Sequence, residues 1–158
     1  MNPDNPNADI DTADLQDAAR TLGQSISFVK ARSEAEIDAV FATFGEQHVS
    51  ALLLNTDPFF LARRAQFVAL AGRNGIVAIY AQREFVAGGG LISYGVSLAD
   101  AYRLAGVYAG RILKGEKPAD LPVQIPTKYE IVINLRTANA LGFVVPPKLR
   151  AAATEVIE

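Results

Sequence analysis

The sequence predicts an α/β domain, a mainly parallel sheet with helices on both faces. Three observations carry that prediction. Short apolar runs alternate along the chain with longer stretches of helical periodicity, the pattern of strand–crossover–strand units. Most of those runs are apolar throughout, as in strands covered on both faces. Half of the 158 residues are apolar and a fifth are charged, ordinary globular composition with chain enough for one domain.

Residues 1–7 read as a turn, because Pro3 and Pro6 disfavour helical backbone at Asn2 and Asn5. Helical spacing follows over 8–22, with Leu15, Ala18, Ala19 and Leu22 on one face and Gly23 placed to end it. Residues 25–29 alternate Ile26 and Phe28 with serines, a short strand. Ser33 and Glu36 form a capping box ahead of Ile37, Val40, Phe41 and Phe44. A strand at 49–54 leads to a helix over 58–73, stopped by Asn74 and Gly75. A strand at 76–80, a helical turn within 82–87, the break Gly88, Gly89, Gly90 and a strand at 91–94 come next. A second capping box, Ser97 to Asp100, opens a helix with Leu98, Ala101, Tyr102, Ala105, Tyr108, Ala109 and Ile112 in one stripe. Residues 114–122 form an exposed connector, 129–135 a strand and 136–141 a short helix closed by Gly142. Pro146 and Pro147 start a last helical piece. One feature is out of place: a βαβ unit calls for an apolar strand upstream of Asn2, and none is there.

Composition excludes several classes. Net charge is −2 with scattered Lys and Arg, which argues against nucleic acid or an anionic membrane surface as partner. Without cysteine there is no disulfide, thiolate metal site or Cys nucleophile. His48 alone makes no metal cluster, and no metal or cofactor is expected. No apolar run approaches the roughly 20 residues that span a bilayer. The polar opening is no signal peptide, so the chain carries no address.

The candidate site centres on the strand end at Asn55, Thr56 and Asp57. Asp57 as helix N-cap and Pro58 as first helical residue fit known preferences. Ligands of open α/β sheets also sit past the carboxyl ends of strands, where Asn55, Thr56 and Asp57 would offer polar contacts. The two readings are compatible. A phosphoacceptor role for Asp57 lacks the acidic pair that would hold magnesium. After the next strand, Arg83 suits a ligand carboxylate and Glu84 or Asp57 an ammonium, with a surface ion pair as the alternative. The three glycines match no nucleotide loop and read as a hinge or tight turn. Ser93, Ser97 and Thr127 have no base within a triad arrangement. Tyr102 and Tyr108 read as core. The residues alone thus describe a small-molecule-binding α/β domain without visible catalytic machinery.

Ordered wording from Leu53 onward adds a resemblance. Asp57-Pro58-Phe59-Phe60, Arg64, Ile79-Tyr80 and Arg83-Glu84-Phe85 are followed by residues 88–95, 97–103, 106–115, 117–122 and 126–135. Together these are similar to the ABC-transporter substrate-binding protein family related to tryptophan- and tyrosine-binding lipoproteins. Asn2-Pro3-Asp4-Asn5-Pro6 resembles that family's loop after the first strand of its second lobe. The resemblance implies a type I periplasmic binding protein fold and covers about the C-terminal half of a member. It implies a second lobe over 1–122, with its first strand missing, and a crossover strand and tail over 123–158 that pack toward the first lobe. The chain would then be a fragment or truncated frame. It also implies a non-enzymatic solute-binding component of an importer, taking a small polar solute such as an amino acid and working with an ABC permease. Its binding face would comprise Asn2, Asn5, Asn55, Thr56, Asp57, Phe59, Phe60, Tyr80, Gln82, Arg83, Glu84, Ser93 and Tyr94, with Phe59 or Phe60 as an apolar wall. Location would be periplasmic by resemblance, and cytoplasmic if expressed as it stands. A lone lobe would bind weakly, and its open sheet edge would favour a homodimer. The other class of reading is a standalone regulatory or enzymatic domain using Asp57.

Overall fold

In the computed structural model, which describes residues 1–158, five strands hydrogen-bond in chain order. They are β1 (Ala51–Leu54), β2 (Val77–Tyr80), β3 (Ile92–Val96), β4 (Tyr129–Asn134) and β5 (Glu155–Ile157). β1, β2 and β3 run parallel, β4 is antiparallel to β3, and β5 is parallel to β4. The mainly parallel α/β sheet expected from the alternating pattern is present.

Eight α-helices accompany the sheet: α1 (Ala8–Thr21), α2 (Glu34–Phe44), α3 (Pro58–Ala62), α4 (Arg64–Arg73), α5 (Arg83–Ala87), α6 (Leu98–Leu113), α7 (Leu135–Ala140) and α8 (Pro147–Ala152). Their starts follow local chemistry. Ser33 Oγ accepts from the Glu36 N–H at 3.2 Å, and the Glu36 carboxylate reaches back past the cap to accept from the Arg32 N–H at 2.9 Å, a box shifted by one residue. Ser97 and Asn134 cap α6 and α7 in the same way. The single helix expected over 58–73 is broken at Arg63, whose N–H bonds to both Phe59 and Phe60 carbonyls.

The core lies on one face of the sheet. Leu52, Leu54, Ala78, Tyr80 and Val132 point to it, and Ile37, Phe41, Phe44, Phe60, Phe67 and Phe85 cover them from α2 to α5. Phe60 meets Phe67 edge-on at 5.0 Å, and Phe41 meets Phe44 at 4.9 Å. Each such ring, fully buried, contributes roughly 1.5–3 kcal/mol.

Two expectations fail locally, and one strand lies where none was expected. Residues 25–29 are not a strand, because no strand lies beside them to complete a ladder. The stripe on α6 is not core: the helix buries no residue and Tyr102 is 75% exposed. The last strand, β5, has three residues and was not foreseen, since so short a run shows no period.

Candidate functional site

Register brings the carboxyl ends of β1, β2 and β3 side by side: Leu54 pairs with Tyr80, and Tyr80 with Ser93. Loops 2–7, 55–57 and 81–82 meet along this edge. The first cluster there is built on Asp57, only 2% exposed. Its Oδ1 accepts from the Phe60 N–H at 3.0 Å, the N-cap bond of α3. The Asn2 amide donates to both its oxygens, and Asn5 Nδ2 donates to Oδ2 at 2.8 Å. The side-chain Oδ1 atoms of Asn2 and Asn5 accept from the Asp4 and Asn7 N–H groups, which fixes the turn that carries them. A carboxylate so filled positions two loops and leaves little for a ligand or phosphoryl group.

The second cluster is a pocket of about 470 Å³ past the ends of β2 and β3. Gln82, Arg83 and Glu84 enter it from the start of α5, and Ser93 and Gly95 from β3. Glu130, Thr154 and Glu155 complete it. Arg83 donates to both Glu155 oxygens, at 2.9 and 2.7 Å. The Glu155 carboxylate, by hydrogen bond and charge, holds the guanidinium still more firmly protonated than usual. Glu84 Oε2 is buried without any hydrogen-bond partner. A buried lone carboxylate oxygen is costly to leave unmet. Gly95 lets the Ala81 backbone lie close against β3, since a Cβ there would stand 1.9 Å from the Ala81 carbonyl oxygen. No group of three or more His, Cys, Asp or Glu is arranged to hold a metal ion.

The structure gathers the anticipated residues into two groups and leaves others out. Asn2, Asn5, Thr56 and Asp57 sit together; Gln82, Arg83, Glu84 and Ser93 sit together. Asn55 turns away and donates to Asp11 at 2.9 Å. Phe59 is half-buried at the edge, with the Arg63 guanidinium 5.9 Å over its ring. Phe60 and Tyr80 are inside the core rather than at the surface. Tyr80 stacks on Phe85 at 4.6 Å, and burial pushes its hydroxyl up to about 12. Tyr94 follows Ser93 and so points to the opposite face of the sheet, where it stacks on Tyr129 at 5.6 Å. The three glycines close α5, with Gly89 at φ 102° and Gly90 packed where a Cβ would stand 2.7 Å from the Tyr80 ring. Glu130, Thr154 and Glu155 escaped notice. Only Glu130 gave a signal, a charge inside an apolar strand run on the side shared with Val132.

A family model described as ABC transporter substrate binding protein matches residues 1–157. No curated protein matches the chain. Among solved structures, a conserved domain protein from Vibrio cholerae aligns with TM-score 0.86 and 22% identity, covering 99% of this chain and 52% of that one. An ABC domain in complex with L-Trp from Streptococcus pneumonia aligns with TM-score 0.86 and 24% identity over 99% of this chain and 53% of that one. A ligand-free, open substrate binding protein with adhesive properties from Clostridium difficile gives TM-score 0.73 and 22% identity, with 99% and 52% covered. At these identities the likeness is one of fold. The chain spans about half the length of the structures it matches.

Proposed function

We propose a solute-binding role on the premise that the chain belongs to the ABC transporter substrate binding protein family. In this reading it forms one wall of a cleft for a small zwitterion such as an amino acid. The observation that carries it is the pocket at the carboxyl edge of β2 and β3, where the Arg83 fork and the unpartnered Glu84 oxygen stand on adjacent residues. The guanidinium meets the ligand carboxylate in competition with Glu155, and Glu84 meets the ammonium. Asn5, Thr56 and Phe59 lie along the same edge as rim contacts. The L-Trp bound by the Streptococcus protein supports the amino-acid class.

The second wall belongs to another lobe, which closes over the solute and buries it. The exposed side of α6 supports this. Leu98, Tyr102, Ile112 and Leu113 on it, with Val123 and Ile125 beyond, present apolar surface to solvent. In this reading α6 and the chain to residue 126 leave the lobe to pack on its neighbour, and β4 returns to the sheet beside β3. The solute would be released unchanged to an ABC permease outside the cytoplasm, with no catalytic step. No helix here is long and apolar enough to cross a membrane.

Calorimetric titration of the purified chain with each of the twenty L-amino acids tests the reading. Saturable heat with one or a few of them, abolished by Glu84→Gln, is expected. Silence across the set, together with binding of a neutral sugar, would refute it.

A further inference from the structure

The pocket past the ends of β2 and β3 holds more negative charge than a simple zwitterion meets. One cation, Arg83, stands in it against three carboxylates, Glu84, Glu130 and Glu155. Arg83 and Glu155 neutralise each other through hydrogen bonds of 2.9 and 2.7 Å. Glu84 and Glu130 enter no ion pair. Both lie near enough to the guanidinium for their charges to add to the pull of Glu155 on its proton. An α-ammonium held by Glu84 therefore leaves Glu130 without a counter-charge.

Strand pairing puts Glu130 there. It lies opposite Gly95 in the β3–β4 ladder, on the same side of β4 as Val132, and it is half-buried. Much of the remaining lining is apolar: Val96, Leu98, Ala99 and Val132. A carboxylate beside such lining is screened less than one on open surface, so it attracts a cation more strongly. A metal ion is not that cation, because no three of these groups converge on one point. The carboxylates come from α5, β4 and β5 and surround a space of about 470 Å³. β2 and β4 stand two strand spacings apart, about 10 Å. Two unmet charges so separated suit two ammonium groups joined by a methylene chain.

We propose that the solute of this pocket is a dibasic amino acid of the lysine or ornithine type, whose side-chain ammonium is held by Glu130. The inference rests on reading the pocket as the solute site, and it adds the charge of the solute to that reading. The α-ammonium meets Glu84, the α-carboxylate meets the Arg83 guanidinium, and the methylenes lie against the apolar lining.

Calorimetric titration of the whole chain with L-lysine, L-norleucine and cadaverine tests this. Norleucine is lysine without its side-chain ammonium, and cadaverine is lysine without its carboxylate. Lysine is expected to bind at least tenfold more tightly than either. Glu130→Gln is expected to bring the lysine-to-norleucine ratio within about twofold of unity, with circular dichroism reporting that the variant is folded. The ligand comparison on the unaltered chain stands without the variant. Equal affinity for lysine and norleucine overturns the dibasic proposal and leaves the zwitterion reading in place. A lysine preference that survives in folded Glu130→Gln also overturns it. Cadaverine bound as tightly as lysine overturns both readings, since the carboxylate is then not recognised. Silence with all three, against saturable heat from a neutral or acidic amino acid, overturns the dibasic proposal alone.

Discussion

The side-chain amide of Asn2 donates to both carboxylate oxygens of Asp57, at 3.3 and 3.1 Å, across 55 residues of chain. The bond joins the first loop to the end of β1 and fills the carboxylate that caps α3. Asp57 thereby positions the first loop against the carboxyl end of β1. With both oxygens accepting and 2% exposure, it is poorly placed for the nucleophilic or phosphoacceptor chemistry of the competing reading.

Asp57→Ala removes the cap and strands the Asn2 and Asn5 amides. Loss of the cap costs about 1 kcal/mol and unmet buried groups about 1–3 kcal/mol. Urea unfolding should show a loss of roughly 2–4 kcal/mol, with Asp57→Asn losing less because it keeps the cap acceptor.

Gly95→Ala places a methyl group against the Ala81 carbonyl oxygen, where backbone must move. It should lower Tm and disturb the pocket. Gly72→Ala is the control: its Cβ meets nothing within 4 Å and it lies within α4, so it should gain about 0.5–1 kcal/mol. A calorimetric scan of both variants reads the contrast.

Tyr80 gives an alkaline signature. Its hydroxyl titrates near 10 when unfolded and at about 12 in the core. Between those values the unfolded chain has lost the proton and the folded one has kept it, so stability falls as pH rises. The contribution is complete below pH 10 and is lost toward pH 12, roughly 2–3 kcal/mol in all. Urea midpoints across that range should show the decline, and Tyr80→Phe should flatten it.

Arg83 and Glu155 pair through the single nitrogen Nη2, with both side chains more than 40% exposed. Solvent screens it, so Glu155→Gln should cost under about 1 kcal/mol, and less in high salt. On the solute reading the same change frees the guanidinium, and affinity for an amino acid should rise in titration calorimetry. Arg83→Ala should lower it.

The strand runs, the caps at Ser33, Asp57 and Ser97, and the order of helices and strands were legible because each is local. Period and capping depend on residues within a turn or two of one another. The polar strand end at Asn55 to Asp57 was legible for the same reason. The alternation at Ile26 and Phe28 was local as well, yet no strand formed. A ladder needs a partner that periodicity cannot supply. Phe60 and Tyr80, placed in the binding face by the family resemblance, turn into the core, because the side each takes is set by helix packing and strand register. The pocket takes Glu130 from β4 and Glu155 from β5, tens of residues beyond Arg83. The sequence by itself determined most of the helices and strands, their caps, and which strand end is polar. Only tertiary structure decided which side chains share that edge, since contacts across 50 to 70 residues follow strand pairing and packing rather than spacing along the chain.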